Sequence, residues 1–355
     1  MSPPPDGAAT STSAAHADRG ASDPVAERRV AVLATGALDV LTPLLAAGSP
    51  CALVDFPHHA NVGDSAIWLG ERALLDRAGV PIRYTCDLHN FAERDLRERV
   101  PTGTILIHGG GNLGDLWPDH QDFREHLVRA FPRHRIIQLP QSIHFGRPSN
   151  LRRAQAAFGA HPDLTLCVRD QRSLDFARRH FSSRSVLCPD MAFGIPQLPV
   201  VACARVRDIV WQARADHESA GLPLPPLDDT VWLTDWVADP GDDPAWTAQA
   251  ASAAALAHAA NPTSAMGERA SASDQLAALH LRRGCRMLRS GRAIVTDRLH
   301  GHLLSLLLGL PHVILGDRFG KVAGAHATWT RDWPGVRWAR STDEALALAR
   351  ELAAP

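Results

Sequence analysis

A proline-rich break, Ile195-Pro196-Gln197-Leu198-Pro199, divides this chain into two series, and in each one short β-branched runs alternate with helical patterns. Before the break the strand-like runs cover residues 51–56, 82–86, 104–108, 135–139, 164–168 and 185–188, with amphipathic helices over 65–78, 122–131 and 171–180. After it they cover 208–212, 230–233, 293–296 and 312–315, and a last helix covers 343–352. Parallel strands need crossovers long enough to hold a helix, so such alternation predicts helices on both faces of a mostly parallel sheet. The expected class is α/β, with two Rossmann-like domains facing a cleft.

Residues 1–28 are rich in Pro, Ala, Ser and Asp and too poor in apolar groups to bury themselves, so they read as a disordered tail. Domains over 29–197 and 198–340 follow, and 341–355 form a C-terminal helix. The Asp-, Pro- and Ala-rich stretch 239–270 is expected as an insertion flanking the cleft, with helix over 248–260.

A formal net charge of -1 gives no bulk attraction for nucleic acid. The longest apolar stretch, 303–315, contains Gly309, Pro311 and His312 and falls short of the about 20 residues that span a bilayer. The N-terminus has no apolar signal region, so the expected address is the cytoplasm. Cys51, Cys86, Cys167, Cys188, Cys203 and Cys285 are scattered without a C-x-x-C pair and read as reduced core thiols. Among the 18 histidines there is no H-E-x-x-H, and neither His58-His59 nor His300 with His302 completes a ligand set, so no metal is expected. All but one of the 37 basic residues are arginine. The exception, Lys321, is either a chance survivor or a place where a compact ammonium is needed.

Ligands of open α/β sheets bind at the carboxyl ends of strands, and five segments lie there. Asn61-Val62-Gly63-Asp64-Ser65 offers a close approach at Gly63 and a cap in Asp64 or Ser65; a plain helix cap explains it equally well. Gly109-Gly110-Gly111-Asn112 follows the run 104–108, and its unshielded N–H groups suit an oxyanion, a phosphate or a closely packed sugar. Gln141, Ser142 and His144 carry groups suited to sugar hydroxyls. Arg169 follows the run 164–168 as an anion clamp or a salt bridge. In Thr296-Asp297-Arg298-Leu299-His300-Gly301-His302 a strand opens into a helix whose N-terminus favours an anion. There Arg298 has a fork for a carboxylate or phosphate, and His300 can exchange a proton near neutral pH.

Together these segments resemble the polysaccharide pyruvyl transferase family, through an N-x-G-D loop, a G-G-G-N run and a T-D-R-L-H-G motif, over residues 55–329. The string from Asp55-Phe56-Pro57-His58-His59 to Trp68 is especially similar to members acting in exopolysaccharide synthesis. The resemblance implies a glycosyltransferase-B-like fold, with residues 29–197 on the acceptor side and 198–340 on the donor side. It implies phosphoenolpyruvate as donor, no cofactor, and a sugar, oligosaccharide or lipid-linked glycan as acceptor, the last bringing the protein to the inner face of the membrane. Donor-binding roles fall on Arg169 and Arg298, joined by Lys321, and the general acid on His300 oriented by Asp297. Asn61, Gly63, Asp64, Gly110, Gly111, Asn112, Gln141, Ser142 and His144 remain for acceptor or phosphate. The stretch 239–270 matches no family motif.

Two rival readings stand beside it. Gly63-Asp64-Ser65, Asn112 and Asp297 with His300 follow the block order of a Gly-Asp-Ser esterase, with Ser65 as nucleophile. A nucleotide-sugar glycosyltransferase is also compatible with the fold class.

Overall fold

The computed structural model describes residues 24–199, 205–237, 244–258 and 266–354. Its first series runs α1 (Pro24–Leu41), β1 (Cys51–Val54), α2 (Val62–Arg77), β2 (Ile82–Cys86), α3 (Glu93–Arg99), β3 (Thr104–Ile107), β4 (Gly110–Gly114), α4 (Pro118–Ala130), β5 (Arg135–His144), α5 (Pro148–Gly159), β6 (Leu164–Val168), α6 (Gln171–His180) and β7 (Arg184–Leu187). These strands form a seven-stranded sheet in the order β2-β1-β3-β5-β6-β7, with β4 paired to β5. The second series runs β8 (Arg207–Gln212), β9 (Val231–Thr234), α7 (Pro244–His258), α8 (Met266–Arg289), β10 (Gly291–Thr296), α9 (Leu299–Leu307), β11 (His312–Ile314), α10 (Lys321–Ala325), β12 (Val336–Trp338) and α11 (Thr342–Ala353). Its five strands lie in the order β12-β11-β10-β8-β9. Every pairing described in both sheets is parallel.

Strands β1, β3 and β6 are buried at every position, as strands covered on both faces must be, which is why they read as unbroken apolar runs. The helix that positions the site is α2. Its Ile67, Trp68, Leu74 and Leu75 pack with Cys51, Leu53, Leu106 and Ile137 of the first sheet. Its Val62 and Ala66 pack with Leu281, Cys285 and Leu288 of α8 and with Ile294 of the second. One helix therefore shares its surface between both cores.

Several expectations change. The tail read over 1–28 includes residues 24–28, which belong to α1: Ala26, Leu33, Ala37 and Leu41 are buried along it. Residues 1–23 lie outside the described residues, as do Cys203 and parts of the 239–270 insertion. What is described of that insertion is helical, in α7 and the start of α8. The glycine run after β3 is not a loop: residues 110–114 are extended and pair with β5. The five described cysteines are free and buried. Among the described residues no helix is long and apolar enough to cross a membrane.

Candidate active site

A cleft of about 350 Å³ lies where the carboxyl ends of the two sheets face each other. The loop leading into α2 contributes His59 and Asn61, the first turn of α2 contributes Asp64, β4 contributes Gly111 and Asn112, and Arg169 follows β6. From the other side come Arg214 and Glu218 after β8, Trp236 after β9, Arg298 and His300 at the start of α9, and Lys321 at the start of α10.

His300 is 8% exposed and packs against the backbone of Gly63, where a Cβ would come 2.6 Å from its Cγ. Its Nε2 stands 3.4 Å from Asp190 Oδ2. The same Oδ2 accepts from Arg169 Nη1 at 2.8 Å, while Oδ1 accepts the Ala192 amide at 2.9 Å. Burial alone would raise the Asp190 carboxyl, but His300, Arg169 and that amide hold it far below the usual carboxylate range. A carboxylate fixed between an imidazole and a guanidinium helps to hold both side chains in place.

Arg169 and Lys321 converge from the two sheets on Gly111. A Cβ there would meet Lys321 Nζ at 2.8 Å and Arg169 Nη2 at 2.9 Å, so a side chain would push one or both of these groups from where they stand. Arg169 Nε donates to Ser142 Oγ at 3.0 Å. Lys321 Nζ donates to the Gly111 carbonyl at 2.8 Å and to Glu218 Oε2 at 2.7 Å. Burial lowers the Lys321 ammonium and Glu218 opposes it. Glu218 also accepts from Trp117 Nε1 at 3.0 Å and pairs with Arg214 Nη1 at 3.0 Å.

Arg298 turns its fork inward: Nε and Nη2 donate to the two oxygens of Asp235 at 2.6 Å each. The bidentate edge expected for an anion is thus engaged by a carboxylate of the protein, which leaves Nη1 as the remaining donor nitrogen. Asp297, expected to orient His300, instead accepts the Arg214 amide at 2.8 Å, and burial pushes its carboxyl up to about 6. The carboxylate beside His300 is Asp190.

The remaining polar segments divide. Asn61 caps α2, accepting the Gly63 amide at 3.1 Å and donating to Asp64 Oδ2 at 2.8 Å. Burial would raise Asp64, yet His59, His300, His108 and Arg169 hold it below the usual range. Gly110 lies beside this carboxylate. Asn112 lines the cleft but its Oδ1 is held by Gln141 Nε2 and Arg124 Nη2, both at 2.8 Å. Gln141 is fully buried and bridges Asn112 to the His108 carbonyl. Ser142 sits between Arg169 and Asp170. His144 packs against Phe319 with the rings tilted and their centroids 4.6 Å apart, and it is not part of the cleft lining. Ser65 Oγ meets His280 Nδ1 at 3.2 Å rather than His300, so the residues of an esterase triad do not assemble.

Asp190, Arg214, Glu218 and Asp235 were not singled out from the sequence. All four follow strand ends, after β7, β8 and β9, where the rule that picked Arg169 would have found them.

The sequence model of the polysaccharide pyruvyl transferase family matches residues 61–317. Pyruvyl transferase 1 of Schizosaccharomyces pombe is 33% identical over 324 residues, covering 84% of this chain and 75% of its own. EpsO of Bacillus subtilis, a candidate pyruvyl transferase by name, is 30% identical over 307 residues, covering 85% of this chain and 91% of its own. A crystal structure of an uncharacterised Klebsiella pneumoniae protein superposes with a TM-score of 0.51 at 13% identity, over 90% of this chain and all of that one, a likeness of fold alone.

Proposed function

The chain belongs to the polysaccharide pyruvyl transferase family, and from that premise we propose that it moves the pyruvyl unit of phosphoenolpyruvate onto two hydroxyls of a sugar, closing a ketal and releasing phosphate. The observation that carries this reading is the meeting of Arg169 Nη2 and Lys321 Nζ over Gly111, in the cleft that His300 also lines. Two cations at one point suit a donor that carries a carboxylate and a phosphate.

His300 would give a proton to the donor's methylene carbon, leaving positive charge on the neighbouring carbon, where a sugar hydroxyl attacks and loses its proton. Phosphate then departs with the electron pair of its bond to that carbon, and a second hydroxyl of the same sugar adds there and gives up its proton, closing the ring. Arg169, Lys321 and Nη1 of Arg298 would balance the donor's charges, and Asp190 would act as a positioning residue for His300 and Arg169. The donor is thus gripped from both sheets, the acceptor entering over Asn61, Asp64 and Asn112. These steps call on no cofactor beyond the donor. The same reading extends to the architecture, with 29–197 and 198–340 as halves of a glycosyltransferase-B-like pair. A lipid-linked glycan as acceptor would bring the enzyme to the membrane surface.

The test is incubation with phosphoenolpyruvate and a panel of free and lipid-linked sugars, following phosphate release and the mass of the ketal. His300→Asn, in which a good helix-capping residue replaces the acid, should lose product formation while keeping donor affinity. Near-normal turnover of that variant would remove His300 from the mechanism.

A further inference from the structure

Beside the cleft, three side chains from distant segments meet: His58 after β1, Asp87 after β2 and His258 in the last turn of α7, each offering a ligand atom within 4.8 Å of the others. Asp87 Oδ2 is 3.1 Å from His258 Nδ1. Neighbouring ligand atoms of a tetrahedral ion with bonds of about 2.0–2.1 Å stand roughly that far apart.

The three groups are held from behind. Asp87 Oδ1 accepts the amides of His89 at 2.7 Å and Asn90 at 2.9 Å, and Asn90 Nδ2 reaches Oδ2 at 3.2 Å. That Nδ2 also donates to the Ala257 carbonyl at 3.0 Å, docking α7 at the same place. His58 Nε2 lies 3.0 Å from the Ala254 carbonyl oxygen. A carbonyl only accepts, so this nitrogen carries the proton and Nδ1 keeps its lone pair, the arrangement by which protein carbonyls fix metal-binding histidines. A hollow of about 260 Å³ lined in part by His58, Asp87 and His89 leaves space for a fourth ligand.

We propose that His58, Asp87 and His258 bind one divalent transition ion, zinc above all, which clips α7 onto the loops that follow β1 and β2. Two imidazoles and one carboxylate suit a borderline ion, whereas calcium and magnesium favour oxygen ligands throughout. The ion would join parts of the chain that are far apart in sequence, where a cross-link restricts the unfolded chain most. The site stands apart from the pyruvyl-transfer reading, and metal content tests it without reference to activity.

The experiment takes the full chain without a histidine tag, loads it with zinc, and measures metal retained after gel filtration, together with Tm against zinc and the visible d–d bands of the cobalt form. Wild type should retain about one equivalent, rise in Tm with zinc and show the bands of four-coordinate cobalt. His258→Ala removes a side chain that is 47% exposed, so its fold should hold, and it should weaken zinc binding at least about 10-fold. Asp87→Asn should do the same, while His126→Ala, on a 52% exposed side chain of α4 that pairs with Glu93 and is not one of the three ligands, should bind like wild type. Zinc-free wild type after gel filtration, or undiminished zinc in His258→Ala, would overturn the proposal.

Discussion

Gly63 and His300 pack against each other across the cleft, and they do so because Gly63 has no side chain: a Cβ there would lie 2.5 Å from His300 Nδ1 and 2.8 Å from its Cβ. Gly63 also sits in the first turn of α2, where alanine is the better helix former by about 1 kcal/mol. Gly63→Ala should therefore leave the fold standing and push the imidazole aside. Misplacing a reacting group by about 1 Å costs about 100-fold, so turnover should fall 10- to 100-fold, with Tm within a few degrees of wild type. Unchanged turnover in a folded variant would show that His300 need not stand where it does.

Lys321 and Glu218 form a buried ion pair at 2.7 Å, and removing one partner leaves the other charge in the protein interior. Breaking such a pair costs about 3–5 kcal/mol. Because Arg214 still lies 3.0 Å from Glu218, Lys321→Met should lose about 2–4 kcal/mol in urea unfolding. Lys321→Met with Glu218→Gln should regain most of that stability without regaining donor affinity. If the double variant recovers both, the one lysine in the chain is structural only.

How far the sequence disclosed these features depends on what holds each segment in place. Strands β2 and β6 and helix α6 begin and end where the residue pattern put them, because apolar runs and the cap at Asp170 act locally. Strand β4 was missed: Gly110-Gly111-Asn112-Leu113-Gly114 has no apolar alternation, and its pairing to β5 makes it a strand. The same extension of β5, as far as His144, turns Gln141 and Ser142 into buried struts instead of loop residues open to a sugar. Within the cleft, glycines and cations stood out because their chemistry is unusual after a strand. Asp190, Glu218 and Asp235 did not, since a lone carboxylate in that position reads as a helix cap until its partner appears from another segment.

Acid should weaken the fold through its buried histidines. Burial, with Arg283 beside His280 and His326 near His312, pushes both His280 and His312 down to about 4, and burial next to His312 and His326 also holds His302 well below its usual value. In the unfolded chain a histidine takes up its proton near pH 6.5. Between about pH 6.5 and 4 the unfolded state thus binds more protons, so this stability is full above the range and is lost as pH falls through it. Asp297, pushed up to about 6, acts the opposite way over pH 6 to about 4 and offsets part of the loss. Comparing variants isolates one group. His280→Asn should lose less stability than wild type between pH 7 and pH 4.5, by an amount on the order of 2 kcal/mol. Parallel stability curves would mean that His280 does not titrate differently in the folded protein.

The last expectation concerns Asp190, which touches both His300 and Arg169. A positioning carboxylate and a merely structural one both lose stability on neutralisation, so stability alone cannot separate them. They differ in what happens to kcat and donor affinity. Ionised Asp190 holds the Arg169 guanidinium at 2.8 Å and stands 3.4 Å from the His300 ring. Asp190→Asn keeps the size of the side chain and the oxygen that accepts the Ala192 amide, but removes the negative charge. If Asp190 positions the acid, kcat should fall about 10-fold or more in this variant, because a misplaced reacting group transfers its proton slowly. Donor affinity should fall as well, because the Arg169 guanidinium loses the anion that fixes it. Wild-type kcat and donor affinity in a folded variant of lower Tm would mean that Asp190 supports the turn Met191–Gly194 and sets nothing about the acid.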